Sequence, residues 1–281
     1  MISPRFSLVP VMDHEIHVTE WGDPSGRPLV MWHGLARTGR DFDELAAALS
    51  DDYFVICPDT IGRGLSSWSS NPEAEYSVEY YAGIAMDLMD HYGFAQADWF
   101  GTSLGGLIGM RLASGRQADR LSALVINDIG PEMPDEAIDR ITTYVSDPPV
   151  FAKVSEAETW LRAVYRPFGP APDAYWRRMA RTSLRRRDDG TLSLHYDPKI
   201  TAQFTASRHE LTSWDRYMRI ETPCHVIRGK SSDILPVEVF ELMRQRGPRP
   251  GVTEFDCGHA PCLAHPEDAE RVRDILRSLS G

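Results

Sequence analysis

Apolar and polar residues recur at two different periods along this chain, and the changes of period mark its elements. FSLVPV and EIHVTEWG, on either side of MDH, alternate as half-buried strands do and predict an N-terminal β-hairpin. Short, nearly continuous apolar runs follow: PLVMW (28–32), YFVIC (53–57), ADWF (97–100), LSALVIN (121–127), CHVIRG (224–229) and VTEFDCG (252–258). Runs this short, rich in β-branched and aromatic residues, predict strands buried on both faces. Between them the period lengthens. DFDELAAALS puts Phe42, Leu45 and Leu49 on one helical face, and SVEYYAGIAMDLMDHYG spaces Tyr81, Ile84, Leu88 and Tyr92 likewise, with Gly93 as its stop. SLGGLIGMRLAS and PVEVFELMRQRG predict two more helices. PEDAERVRDILRSLS, opened by Pro266, predicts a last one that turns Val272, Ile275 and Leu279 inward.

Strand–helix alternation predicts an α/β fold with a doubly wound, mostly parallel sheet of eight strands. The rhythm breaks between about Gly130 and Asp215, where the chain turns helical and rich in Arg, Trp and Tyr. Prolines 148, 149, 167, 170 and 172 mark joints there. The expected organisation is a core of residues 1–130 and 215–281 with a helical cap, 131–214, inserted after the sixth strand. Such an insert would sit over the strand ends, where open α/β sheets bind ligands. A second domain remote from the site is the alternative.

The stretch DWFGTSLGGLIGM sets Ser103 among four glycines between a predicted strand and a predicted helix. Gly101-Thr102-Ser103-Leu104-Gly105 fits G-x-S-x-G, a turn so sharp that side chains at the flanking positions would collide, leaving the hydroxyl exposed. A serine hydroxyl needs an adjacent base. His259, in DCGHAP just past the last predicted strand, is better placed for this than the other histidines, and His33 reads as a brace within its loop. The imidazole needs a carboxylate to hold its tautomer. Asp233, in GKSSDIL after the penultimate strand, is the preferred acid, and Asp128, in VINDIG, is the rival. Acyl transfer also needs two donors for an oxyanion. The backbone N–H groups of Leu104 and of Leu35, in HGLARTG, are the candidates.

Together the His-Gly after the third strand, the G-x-S-x-G-G turn, the SSD acid and the CGHAP histidine resemble the α/β-hydrolase superfamily, from about Val30 to the C-terminus. Asp59 to Ser66, DTIGRGLS, is similar to a structural turn of that superfamily. The resemblance is to a capped, cofactor-free branch and implies a serine hydrolase with no cofactor. A serine nucleophile departs from haloalkane dehalogenases and epoxide hydrolases, and HGLARTG lacks the glycine run of the H-G-G-G lipases and esterases.

The 281 residues carry 30 basic and 41 acidic side chains, a net charge of −11. That balance disfavours nucleic acid and anionic membranes as partners and leaves a small molecule as the expected one, with a homodimer allowed. The basic run RRMARTSLRRR (177–187) predicts a helical, solvated face with salt bridges. The first residues, MISPRFSLVPVMDHEIHV, lack a long apolar run and are not expected to be a secretory signal. No stretch has the length of a membrane span. Cys57, Cys224, Cys257 and Cys262 form no C-x-x-C pair, so a reduced, cytoplasmic setting is expected. The histidines show no metal-ligand spacing, and no metal is expected. Substrate-binding candidates are Arg37, for a carboxylate, together with Tyr144, Trp160 and Leu235. Tyr165, Phe168, Tyr175, Trp176 and Tyr196 are further candidates to line an apolar pocket. Expected activities are hydrolysis of a small carboxylic ester, lactone or thioester, then carbon–carbon hydrolysis beside a ketone, then non-catalytic ligand reception on the same fold.

Overall fold

Two apolar layers are built from alternate residues of the same strands, which is why the strand sequences read as unbroken apolar runs. In a computed structural model describing residues 3–279, β1 (Arg5–Val11) and β2 (His14–Trp21) form the expected hairpin. Of the extended core and last helix read from the sequence, Met1, Ile2, Ser280 and Gly281 lie outside the described residues. β3 (Arg27–Trp32) leads through α1 (Asp43–Leu49) to β4 (Tyr53–Pro58). The short α2 (Pro72–Glu75) and α3 (Val78–His91) lead to β5 (Ala97–Thr102), α4 (Leu104–Ala113) and β6 (Leu121–Asn127). Ser77 caps α3 by accepting from the Tyr80 N–H, and Gly93 ends it in left-handed backbone at φ +69°.

Between β6 and the next core strand lies the insert. It comprises α5 (Asp135–Ser146), β7 (Val150–Phe151), α6 (Val154–Val164), α7 (Asp173–Thr182), β8 (Leu184–Arg186), β9 (Leu192–Leu194) and α8 (Trp214–Tyr217). The core then resumes with β10 (Cys224–Gly229), α9 (Val237–Gln245), β11 (Gly251–Phe255) and α10 (Pro266–Leu279).

The main sheet has eight strands in the order β1-β2-β4-β3-β5-β6-β10-β11. Only β2 runs against the others, being antiparallel to both β1 and β4. Leu29, Met31, Val55, Phe100 and Ile227 point to the layer of α1 and α10. Their neighbours Val30, Trp32, Ile56, Trp99 and Val226 point to the layer of α3 and α4. From β3 the chain passes to β4 on one side and then crosses to β5 on the other. That reversal opens a crevice beyond the carboxyl ends of β3 and β5, where open α/β sheets bind ligands.

The insert is not wholly helical as its composition suggested. β7, β9 and β8 form a three-stranded antiparallel sheet, with Leu184 paired to Leu194. The basic run is therefore split: α7 ends at Thr182 and Leu184–Arg186 is strand. Pairing with β9, whose Leu192 and Leu194 are buried, outweighs continuing the helix. Arg178 from that run is not solvated either. It ties the insert to the core through Glu44, at 2.9 and 2.6 Å, and the Arg40 carbonyl at 2.6 Å. Among the described residues no helix is long and apolar enough to cross a membrane.

Candidate active site

Ser103 stands between β5 and α4 in left-handed backbone, φ 53° and ψ −112°, a conformation costly for any residue with a side chain. Two close approaches explain its flanking glycines. A Cβ on Gly101 would lie 2.1 Å from the Gly105 carbonyl oxygen, and one on Gly105 would lie 2.1 Å from the Trp32 carbonyl oxygen. The turn is braced from below: Trp99 Nε1 donates to the Gly105 carbonyl at 2.9 Å, and the Ser103 N–H donates to Asn127 O at 2.9 Å.

His259 lies in the loop after β11, and its Nε2 is 3.1 Å from Ser103 Oγ. Its Nδ1 is 2.8 Å from Asp128 Oδ2. Asp128 immediately follows β6. Its side chain is fully buried, and its other oxygen accepts the Gly229 N–H at 2.8 Å. A carboxylate can only accept, so Nδ1 carries the proton and Nε2 is left to accept from the serine hydroxyl. The loop bearing His259 is held from the insert side. The Gly258 N–H donates to Pro167 O at 2.6 Å, the Cys262 N–H donates to Phe168 O at 3.2 Å, and the Phe168 ring meets the imidazole edge to face.

The preferred acid is therefore corrected. Asp233 does not meet His259; it is more than half exposed and pairs with Arg140 of α5. The loop from Gly229 turns on its own bonds, Ser232 N–H to Gly229 O at 2.9 Å and the Ile234 and Leu235 N–H groups to Ser232 Oγ. That turn carries residue 233 outward. Asp128 needs no loop, being fixed to the ladder by its N–H bond to Ile227 O at 2.8 Å.

The loop after β3 carries His33, Gly34 and Leu35. His33 is fully buried. Its Nε2 accepts the Thr60 N–H at 2.9 Å and its Nδ1 is 2.6 Å from the Gly34 carbonyl, the bracing arrangement expected from the sequence. Burial pushes its pKa down to about 4, so the ring is neutral. Gly34 is not in left-handed backbone. A Cβ there would lie 3.6 Å from that of Ser103, an ordinary contact, so neither strain nor a clash requires glycine at this position. The Leu35 carbonyl accepts from Arg63 Nε at 2.8 Å. Arg63 is buried among Tyr76 and Tyr81, a support the sequence reading did not identify. The N–H groups of Leu35 and Leu104 enter no hydrogen bond of the described residues. Asp59 is structural as expected: it accepts the Gly39 and Leu65 N–H groups and lies 2.8 Å from His17 Nδ1.

Ser103 and His259 line a cavity of about 520 Å³ between the strand ends and the insert. Of the aromatic candidates, Tyr144, Trp160, Tyr165, Phe168 and Tyr175 line it, whereas Trp176 and Tyr196 are buried elsewhere. Leu235 is corrected too: it is fully buried in the core, its carbonyl accepting from Arg228 Nε, and Ile234 lines the cavity instead. Arg37 lines the cavity while 5% exposed. It is paired bidentately to Asp41 at 2.7 and 2.6 Å and donates to Ser183 Oγ of the insert at 3.0 Å.

These features find counterparts in known proteins. A family profile described as the alpha/beta hydrolase family matches residues 29–274. The 3-hydroxybutyrate-oligomer hydrolase of Cupriavidus necator is 38% identical, the match covering 94% of each chain. An alpha/beta hydrolase of Novosphingobium aromaticivorans superposes with TM-score 0.84 at 30% identity, covering 98% of both chains. A candidate hydrolase of Rickettsia typhi superposes with TM-score 0.88 at 27% identity, covering 99% of this chain and 98% of its own. The chain belongs to the alpha/beta hydrolase family and is a hydrolase.

Proposed function

We propose that this hydrolase cleaves short carboxylic esters of 3-hydroxy acids by acyl transfer through Ser103, His259 and Asp128. The observation that carries the reading is the unbroken hydrogen-bonded chain from the buried Asp128 through His259 to Ser103 Oγ, ending in a cavity. The substrate class is supported by the 38% identity to a 3-hydroxybutyrate-oligomer hydrolase over nearly the whole of both chains.

In the first step Ser103 Oγ attacks the ester carbonyl carbon while His259 Nε2 takes its proton. Asp128 holds the resulting imidazolium through Nδ1–H. The carbonyl oxygen becomes an oxyanion, for which the unpaired Leu35 and Leu104 N–H groups are the donors, the latter at the N-terminus of α4. The tetrahedral intermediate collapses by expelling the alcohol, which leaves with the proton from His259. Water then repeats the sequence on the acyl-serine: His259 takes its proton, the acid is released, and Ser103 Oγ regains its hydrogen. No step calls on a metal or an organic cofactor. The insert acts as a cap whose Tyr144, Trp160 and Phe168 shape the acyl and alcohol sites.

Turnover of p-nitrophenyl butyrate and of a linear 3-hydroxybutyrate dimer by wild type and Ser103→Ala tests this. The reading requires both activities in the wild type and neither in the variant. Equal rates in the two proteins, or turnover of neither ester by the wild type, overturns it.

A further inference from the structure

One lobe of the cavity carries polar groups that the acyl-transfer chemistry leaves unused. Arg37 spends Nε and Nη2 on Asp41 and Ser183, while its Nη1 has no partner among the described residues. The hydroxyls of Tyr165 and Tyr175, two residues that line the same cavity, also make no hydrogen bond among the described residues. The Arg37 guanidinium lies over the Tyr165 ring at 4.8 Å, and burial raises the Tyr175 pKa, so that hydroxyl remains a donor. Three donors without a partner among the described residues thus belong to residues of one cavity wall, free to meet an acceptor oxygen seated there.

The lobe is close to the nucleophile. A Cβ placed on Gly34 would lie 3.6 Å from Ser103 Cβ and 3.9 Å from Arg37 Cγ, so those two atoms are no further apart than the two distances laid end to end. The acceptor must therefore sit a few bonds from the scissile carbonyl. The charge around it is balanced. Arg37 faces Asp41 on its own loop, while Arg178 of α7 is engaged by Glu44 and Asp43, and Arg40 by Asp43. A lobe with no net charge suits an acceptor oxygen that need not be an ion.

We infer that Arg37, Tyr165 and Tyr175 form a second recognition site for a carbonyl oxygen one ester unit away from the bond cleaved, so that the preferred substrates are 3-acyloxy acid derivatives rather than simple monoesters. In such a compound four bonds separate the scissile carbonyl carbon from the next carbonyl carbon, a span of about 5 Å. The N–H···O bond adds about 3 Å more, within the reach of an arginine side chain rooted beside Ser103. The next carbonyl is an ester in the interior of an oligomer and a carboxylate at its end. This inference rests on the ester-hydrolase reading of Ser103.

The test compares kcat/KM for methyl 3-(butanoyloxy)butanoate, the corresponding free acid, and sec-butyl butanoate, which keeps the branched alcohol carbon but lacks the second carbonyl. Wild-type protein is expected to favour the methyl ester, the free acid, or both over the monoester by about tenfold or more, chiefly through KM. A methyl-ester preference assigns the lobe to chain interiors, and a free-acid preference assigns it to chain ends. Either supports the site. Arg37→Met combined with Asp41→Asn, which leaves no unpaired charge, should bring the ratio close to one, and Tyr175→Phe should lower it. Arg140→Gln, removing the other arginine of the cavity, should not change it. A wild-type ratio near one overturns the inference while leaving Ser103-dependent esterolysis intact. So does a ratio that survives the Arg37 and Tyr175 variants, or one that collapses with Arg140 instead. Absence of any Ser103-dependent turnover overturns the underlying reading instead.

Discussion

Replacing Asp128 by Asn removes one charge from a site where the carboxylate performs two tasks. Its Oδ1 accepts the buried Gly229 N–H and its Oδ2 accepts from His259 Nδ1, both at 2.8 Å. An amide has one oxygen and cannot do both. If that oxygen faces His259, the NH₂ faces the Gly229 N–H, and a buried donor left unpaired costs about 1–3 kcal/mol. If it faces Gly229, the NH₂ meets Nδ1, which must then accept. The ring proton moves to Nε2, toward Ser103 Oγ, and the base is lost. A misplaced tautomer of this kind lowers kcat by about 10⁴, or about 5 kcal/mol of transition-state stabilisation. Asp233→Asn touches only an exposed pair with Arg140, worth at most about 1 kcal/mol, and should leave kcat within about fivefold. Initial rates on p-nitrophenyl butyrate, with folding checked by near-ultraviolet circular dichroism, decide between them. The reasoning is refuted if folded Asp128→Asn stays within tenfold of wild type while Asp233→Asn collapses.

Three further expectations concern the elbow and its support. Ser103→Gly should abolish esterolysis yet raise stability by about 1 kcal/mol, because glycine relieves the φ of 53°; a lower thermal midpoint would contradict this. Gly105→Ala sets a methyl group 2.1 Å from the Trp32 carbonyl and should cost about 3 kcal/mol or more, seen as loss of soluble protein or of the cooperative urea transition. Acid should loosen the His33 loop. Its folded pKa, about 4, lies below the ordinary 6.5, so the unfolded chain takes up the proton first as pH falls. Stability tied to the neutral ring is whole above about pH 6.5 and drains toward pH 4, approaching about 3 kcal/mol in all. His225, also pushed down to about 4 by burial, acts in the same direction. A urea midpoint at pH 5 equal to that at pH 7.5 would show the sign to be wrong.

The core strands and helices were legible because each is a local pattern with a local cause. Trp32 and Met31 alternate between two layers whatever lies beyond them, and Gly93 ends α3 by its own φ. The elbow was legible in part for the same reason: Gly101 answers to Gly105 inside one strand–turn–helix unit, although Gly105 answers to Trp32 of the neighbouring β3. The insert was not. β7 and β8 are two and three residues long, too short to show alternation, and they exist only because residues 150–151 and 184–186 meet β9. The state of Arg37 was hidden too. Its burial depends on Ser183 and Tyr165, more than a hundred residues away, whereas its partner Asp41 is one helical turn on and offered an i,i+4 signal.

The misplaced acid has a sharper cause. β6 and β10 are parallel neighbours, paired from Leu124 with Cys224 to Asn127 with Ile227, so their carboxyl ends lie about 4.8 Å apart. An acid leaving either strand enters the same crevice, and order along the chain cannot separate them. Flanking residues carry the missing signal. Asp128 stands in a run of buried residues, Val125 to Ile129, and is itself buried, and a buried carboxylate requires a partner. Asp233 follows two serines and is free to turn outward. Distance from the strand also matters: Asp128 is the first residue past the ladder and inherits its rigidity, whereas three residues of loop stand between β10 and Asp233. A hydrogen bond that holds an imidazole in one tautomer needs an anchor that does not drift, and the first residue past a buried strand supplies one.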